Sequence, residues 1–185
     1  MFLYSIVLAI LLGFIFKGNL KNLGNINLSS LYLVFIGYAL DEIMHLMIKG
    51  GHLKVGTGTY FTDLLMYVLL FIFIYMNRKD FFVLIIGVGF LFNAVAILSN
   101  GGAMPVSPSA IAYVSSTHIN PAAQGLYCLL GPDTKFWFFS DIYSVKALGH
   151  VVFSLGDIIL SIGIILIIIK GMRGKYNKKD IPLNS

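Results

Sequence analysis

Cysteine is almost missing from this chain, with Cys128 the one residue of its kind among 185. That excludes an intrachain disulfide and any metal cage built from thiolates, and leaves Cys128 as a small hydrophobe in a loop. Charge is scarce as well: Asp, Glu, Lys and Arg make up 11% of the residues, against roughly 25% in soluble domains. The sequence also has no internal repeat and no low-complexity linker, which argues against a free-standing transporter of the inverted-repeat type. What is there instead is apolar. Hydrophobic residues reach 58%, and the mean hydropathy is +0.88. A chain of this composition belongs in a bilayer.

Apolar runs long enough to approach the 17–25 residues of a membrane span occupy 1–16, 31–48, 60–76, 81–98 and 151–169. The first lacks basic residues ahead of its apolar part, and "KGNLKNLGN" behind it offers no small-x-small cleavage site, so it reads as a helix and not a signal peptide. The formal charge of +5 invites a nucleic-acid partner, but the basic residues sit where topology signals sit. Lys17 and Lys21 follow the first run, Arg78 and Lys79 join the third to the fourth, and Lys170, Arg173, Lys175, Lys178 and Lys179 follow the fifth. With five spans these segments share one side, the cytoplasmic one. The expectation is an all-α integral membrane protein of the cell membrane, a single polytopic domain over 1–185. Its N-terminus lies outside, its C-terminal tail 170–185 inside, and an external segment 99–149 joins helices four and five. Ser29 or Ser30 is the expected N-cap of the second helix. The aromatic stretch "FWFFSDIYSV", with Trp137, suits a membrane-interface element.

The stretch "LSNGGAMPVSPSA" ends the fourth run. Gly101 and Gly102 permit positive φ at a helix end, and Pro105 and Pro108 prevent the helix from resuming. The apolar residues Ala103, Met104 and Val106 between them imply a loop that folds back into the bundle.

Ionisable groups within spans are costly and usually face the bundle interior or a water cavity. Here Asp41, Glu42 and His45 in the second run, Asp63 in the third, Asn93 in the fourth and Asp157 in the fifth all fall within about 10 Å of the outer surface. The spacing of His150, Ser154, Asp157 and Ser161 places them on one face of a helix. Asp41 and His45 are one turn apart, as are metal half-sites, although a structural hydrogen bond is the commoner use of that spacing. Together these residues outline an extracytoplasmic cavity, with Asn93, Asn100, Gly101, Gly102, His150 and Ser154 as candidate ligand contacts. An ion, a lipid head group, a lipopeptide or a partner's membrane helix would suit it, in addition to the surrounding bilayer. No cofactor is specified, and nucleic acid is not expected. A binding or accessory role follows most directly.

Three stretches, "NGGAMPVS" at Asn100–Ser107, "DTKFWFFSDI" at Asp133–Ile142 and "SLGDIILSIG" at Ser154–Gly163, resemble the bacterial membrane proteins grouped as domain-of-unknown-function family 5317. That resemblance implies relatives and no activity. "VFSLGDIILSIGIILIII" is also similar to the last motif of lipoprotein signal peptidases, where an Asn-x-Ala-Asp sequence supplies one of two catalytic aspartates. By that likeness Asp157 is one catalytic aspartate and Asp141 the other, making the alternative function an aspartyl-type membrane hydrolase. The arginine that follows the other aspartate in those peptidases is absent here, Asp141 being followed by Ile142, and the fifth span exceeds their four.

Overall fold

The computed structural model describes residues 2–54, 56–110, 127–145 and 151–174. They include the α-helices α1 (Phe2–Ile15), α2 (Tyr32–Lys49), α3 (Thr57–Met76), α4 (Phe81–Ser99) and α5 (Leu155–Met172). Short strands fill part of the connection between α4 and α5. In it β1 (Met104–Val106) pairs in parallel with β2 (Tyr127–Leu129), and β3 (Tyr143–Val145) pairs antiparallel with β4 (Val151–Phe153).

Three of the helices, α3, α4 and α5, are long and apolar enough to cross a membrane. The expectation of five spans is therefore met only at this coarser level. Helix α1 is apolar but has 14 residues, about 21 Å at 1.5 Å per residue, short of a hydrocarbon core of about 30 Å. Helix α2 has 18 residues and carries Asp41, Glu42 and Lys49.

Glycine determines how closely the central helices approach. A Cβ placed on Gly89 of α4 would lie 2.7 Å from the Gly156 carbonyl oxygen of α5, and one on Gly163 would lie 3.0 Å from the Ile86 amide nitrogen. The two backbones therefore touch, as small residues allow in membrane bundles. Helix α3 covers the other side of α4, with Leu70, Phe73, Ile74, Ile86 and Phe90 in one core. Helix α2 packs on α3, with Gly37 against Met66, and α1 packs on α5 through Ser5, Ala9 and Gly13. Large apolar side chains point outward all the same. Phe35 is 68% exposed and Phe81 69%, which water would penalise and acyl chains would not.

The segments flanked by basic residues meet at one end of the bundle. Asn19 and Asn22 donate to the Met172 carbonyl, at 2.8 Å each. The Asn77 side chain accepts from the Ser29 amide and donates to the Ser29 and Phe73 carbonyls, all at 2.8 Å. Lys170 Nζ lies 2.8 Å from Asp80 Oδ2, while the other Asp80 oxygen caps α4 by accepting from the Phe82 amide.

Two local expectations fail. The N-cap of α2 is Leu31, without a side-chain bond; Ser30 stands in the left-handed region (φ 55°) and not in the extended backbone of a capping serine, and Ser29 is one residue further out, its backbone held by Asn77. The last helix begins at Leu155 and not at 151, because the β-branched Val151 and Val152 pair with β3 and Ser154 starts a capping box. Ser154 is consequently a cap and not part of a helical stripe; the stripe's first member, His150, lies outside the described residues, as does His118.

Candidate functional site

The end of the bundle opposite the basic segments is closed by the α4–α5 connection. Helix α4 stops at Ser99, and Gly101 (φ 80°) and Gly102 (φ 86°) turn the chain back on itself, with the Gly102 amide donating to Ile97 O at 2.9 Å. A Cβ on Gly102 would lie 3.0 Å from Asp63 Oδ2 and 3.1 Å from Tyr60 Cα, so the loop lies against the start of α3. The chain then runs inward as β1, whose residues are all buried. The apolar alternation in "GGAMPVS" thus serves a loop that folds back on the bundle.

The first two family-like stretches hold each other. Asn100 Nδ2 donates to Lys135 O at 2.8 Å and Ala96 O at 2.7 Å, and Asn100 Oδ1 accepts from the Lys135 amide at 3.0 Å. Asp141 is fixed by its backbone, which donates to Pro105 O at 2.9 Å and accepts from the Ser107 amide at 3.1 Å. Asn100→Ala should release the Lys135 segment at a cost of about 1–3 kcal/mol. The check is a lower melting midpoint in detergent together with faster proteolysis between 131 and 139; unchanged proteolysis would count against the tie.

Asp157 is held twice. In the capping box its amide donates to Ser154 Oγ at 3.0 Å, and its Oδ2 accepts from the Ser154 amide at 3.2 Å. Its Oδ1 accepts from Asn93 Nδ2 at 2.9 Å, and Asn93 is itself oriented by the Ser154 hydroxyl donating to its Oδ1 at 2.8 Å. On the far helices, Asp41 Oδ2 lies 3.5 Å from His45 Nδ1, and Asp63 lies within hydrogen-bonding reach of Asp41.

These groups line one cavity of about 220 Å³. Asp41, His45 and Asp63 reach it from α2 and α3, Asn93 and Ile97 from α4, and Asp157 from α5. Gly102, Met104, Tyr127 and Asp141 reach it from the connection. Asp141 is 5% exposed, and its Oδ1 finds no hydrogen-bond partner among the described residues. Burial, and secondarily the charge of Asp157, push its carboxyl up to about 8. Burial and then Asp141 push the Tyr127 hydroxyl up to about 12.

Of the residues singled out from sequence, Asp41, His45, Asn93, Gly102, Asp141 and Asp157 thus share the cavity. Ser154 is fully buried behind Asn93, Asn100 and Gly101 shape the loop without lining the cavity, and His150 lies outside the described residues. Among the described residues no group of three or more His, Cys, Asp or Glu side chains has metal-site geometry. Asp63 was visible in the sequence as a charge in an apolar helix, whereas its place beside Asp41 was not. Nothing local marked Tyr127.

No curated protein and no solved structure matches the chain. The sequence model described as Family of unknown function (DUF5317) matches residues 25–169, a span containing all four carboxylates of the cavity and all three motifs that meet around it. The chain belongs to that family.

Proposed function

We propose that this is a five-span membrane protein with its N-terminus outside and its C-terminus in the cytoplasm, whose acidic cavity opens at the extracytoplasmic end and binds a small polar ligand. The observation that carries this reading is Asp141: a carboxyl 5% exposed, facing a cavity, with Oδ1 unpartnered among the described residues. Buried polar groups are almost always hydrogen-bonded, and an orphan needs a reason, such as a partner that arrives from outside. The orientation rests on the basic residues at the opposite end. The exposed Phe136, Trp137 and Phe138 beside the cavity end suit the outer interface. In this reading α1 and α2 complete the bundle as spans, α1 with local thinning of the bilayer around its 14 residues.

Cysteine accessibility tests it in a Cys128→Ser background. Met104→Cys, at the cavity wall, should react in intact cells with a membrane-impermeant methanethiosulfonate, and Lys79→Cys only after permeabilisation. The reverse pattern would invert the orientation, and an unreactive Met104→Cys under both conditions would remove the cavity as a site.

One observation favours a second reading. Asp141 and Asp157 line the same cavity, and burial and then the Asp157 charge push the Asp141 carboxyl up to about 8, as in pairs of aspartates that share a proton and activate water. The protein would then be an aspartyl-type hydrolase acting on a lipid-anchored peptide that enters sideways from the bilayer. Cleavage of such a peptide by the purified protein, lost in both Asp141→Asn and Asp157→Asn, would select this reading.

A further inference from the structure

We propose that the ligand of the cavity is a small organic cation, an alkylamine in its ammonium form, gripped between the Asp41–Asp63 pair and the Asp141–Asp157 pair. This rests on the binding reading above and names its ligand class.

Charge is the first argument. Four carboxyls line the cavity, with one imidazole and, among the described residues that line it, no lysine or arginine. The Asp157 oxygens are engaged by Asn93 and the Ser154 amide, and Asp41 by His45 and Asp63. Asp141 is the group left over. Its buried oxygen needs a donor, since buried polar groups are almost always hydrogen-bonded. An ammonium supplies three donors and a charge of the sign that an acidic wall favours.

Size argues against a bare metal ion. A volume of about 220 Å³ is on the order of seven water shares. A metal would need its oxygens drawn in to about 2.0–2.6 Å, and the described residues present no such set. The rest of the wall fits an alkyl chain with a charged head. Met66, Ile97 and Met104 give apolar surface, and Tyr127 adds an aromatic side chain of the kind that attracts cations. Because Asp141 carries a proton up to about pH 8, an ammonium seated beside it at pH 7 displaces that proton to solvent.

The test uses the full chain in detergent at pH 7, titrated with n-butylamine, which is protonated there, against n-butanol and against NaCl at equal ionic strength. The expected result is a saturable rise in melting midpoint with the amine alone, on the order of 5–10 °C at a hundredfold excess over Kd. It should be accompanied by release of close to one proton per protein, measured by calorimetry in buffers of different ionisation enthalpy. Asp63→Asn and Asp157→Asn should each weaken the amine at least about tenfold. If Asp157→Asn fails to express, Asp63→Asn and the proton release decide. An equal rise with n-butanol would overturn the proposal in favour of apolar filling, and a rise with millimolar CaCl2 but none with the amine would overturn it in favour of a metal. No rise with n-butylamine while Met104→Cys still reacts from outside overturns the ligand class and leaves the binding reading standing; an unreactive Met104→Cys removes both.

Discussion

Asp141 should make the folded protein in detergent less stable by about 1.4 kcal/mol for each pH unit between about 4 and about 8. The sign follows from proton counting. In the unfolded chain the carboxyl titrates near its ordinary value of 3.8, whereas in the folded one it holds its proton up to about 8. Between those limits the native state binds one proton more than the unfolded state, so raising the pH favours unfolding. The contribution is fully present below about pH 4, is lost through the interval and levels off above about 8, a change on the order of 5 kcal/mol. Asp157, Asp63, Asp41, His45 and Tyr127 face the same cavity, so the quantity to measure is the difference in slope between the wild type and Asp141→Asn. Melting midpoints from pH 4.5 to 8.5 should fall more steeply for the wild type. Parallel curves would mean that Asp141 is ionised in the folded protein, and the proton displacement expected on amine binding would go with it.

Gly156→Leu should be among the most damaging single changes in the chain. A Cβ at that position would fall 2.0 Å from Asn93 Oδ1 and 2.8 Å from the Gly89 carbonyl oxygen. One of these is backbone and cannot swing aside. Relief requires α4 and α5 to separate, and separation breaks the Asn93–Asp157 and Ser154–Asn93 hydrogen bonds together. Overpacking costs about 1–3 kcal/mol, and losing a hydrogen bond to a charged group a further 1.5–3 kcal/mol or so. For a chain of this length that corresponds to a drop of about 10 °C or more in melting midpoint. Gly24→Leu is the control, since nothing lies within 4 Å of a Cβ there, and it should leave the midpoint unchanged. A Gly156→Leu variant that melts with the wild type would mean that the two helices do not approach in this way.

The amine and accessibility experiments bear on the same region, and the amine experiment can fail while the accessibility experiment succeeds. Gly156→Leu would damage the cavity through the fold, whereas Asp63→Asn removes a carboxyl from it and leaves the α4–α5 contact alone. A loss of amine response in Asp63→Asn with an unchanged melting midpoint would therefore belong to the site.

Much was written locally. Long apolar runs show themselves by composition, and α3, α4 and α5 follow them. The end of α4 was legible because glycines at 101 and 102 and prolines at 105 and 108 leave a helix no way to continue. The gathering of Asp41, His45, Asp63, Asn93 and Asp157 at one level followed from their depth along the runs. That Ser154 caps α5 was also in reach, since Ser154-x-x-Asp157 has capping-box spacing, but helical periodicity across 150–161 was the stronger-looking pattern.

The sequence by itself determined a mostly helical chain with apolar helices of membrane-crossing length, basic segments toward one end and carboxylates toward the other, because each of these is a property of neighbouring residues. Tertiary structure alone decided that Asp63 meets Asp41, that Tyr127 joins the wall and that Asp141 is buried without a partner. Those outcomes depend on contacts between distant segments: β1 with β2, the Asp141 backbone with Pro105 and Ser107, Asn93 with Asp157 across 64 residues, and two glycine-lined helices close enough to touch. No local pattern specifies such pairings. They are chosen because each buried backbone group must find a hydrogen-bond partner somewhere in the folded chain.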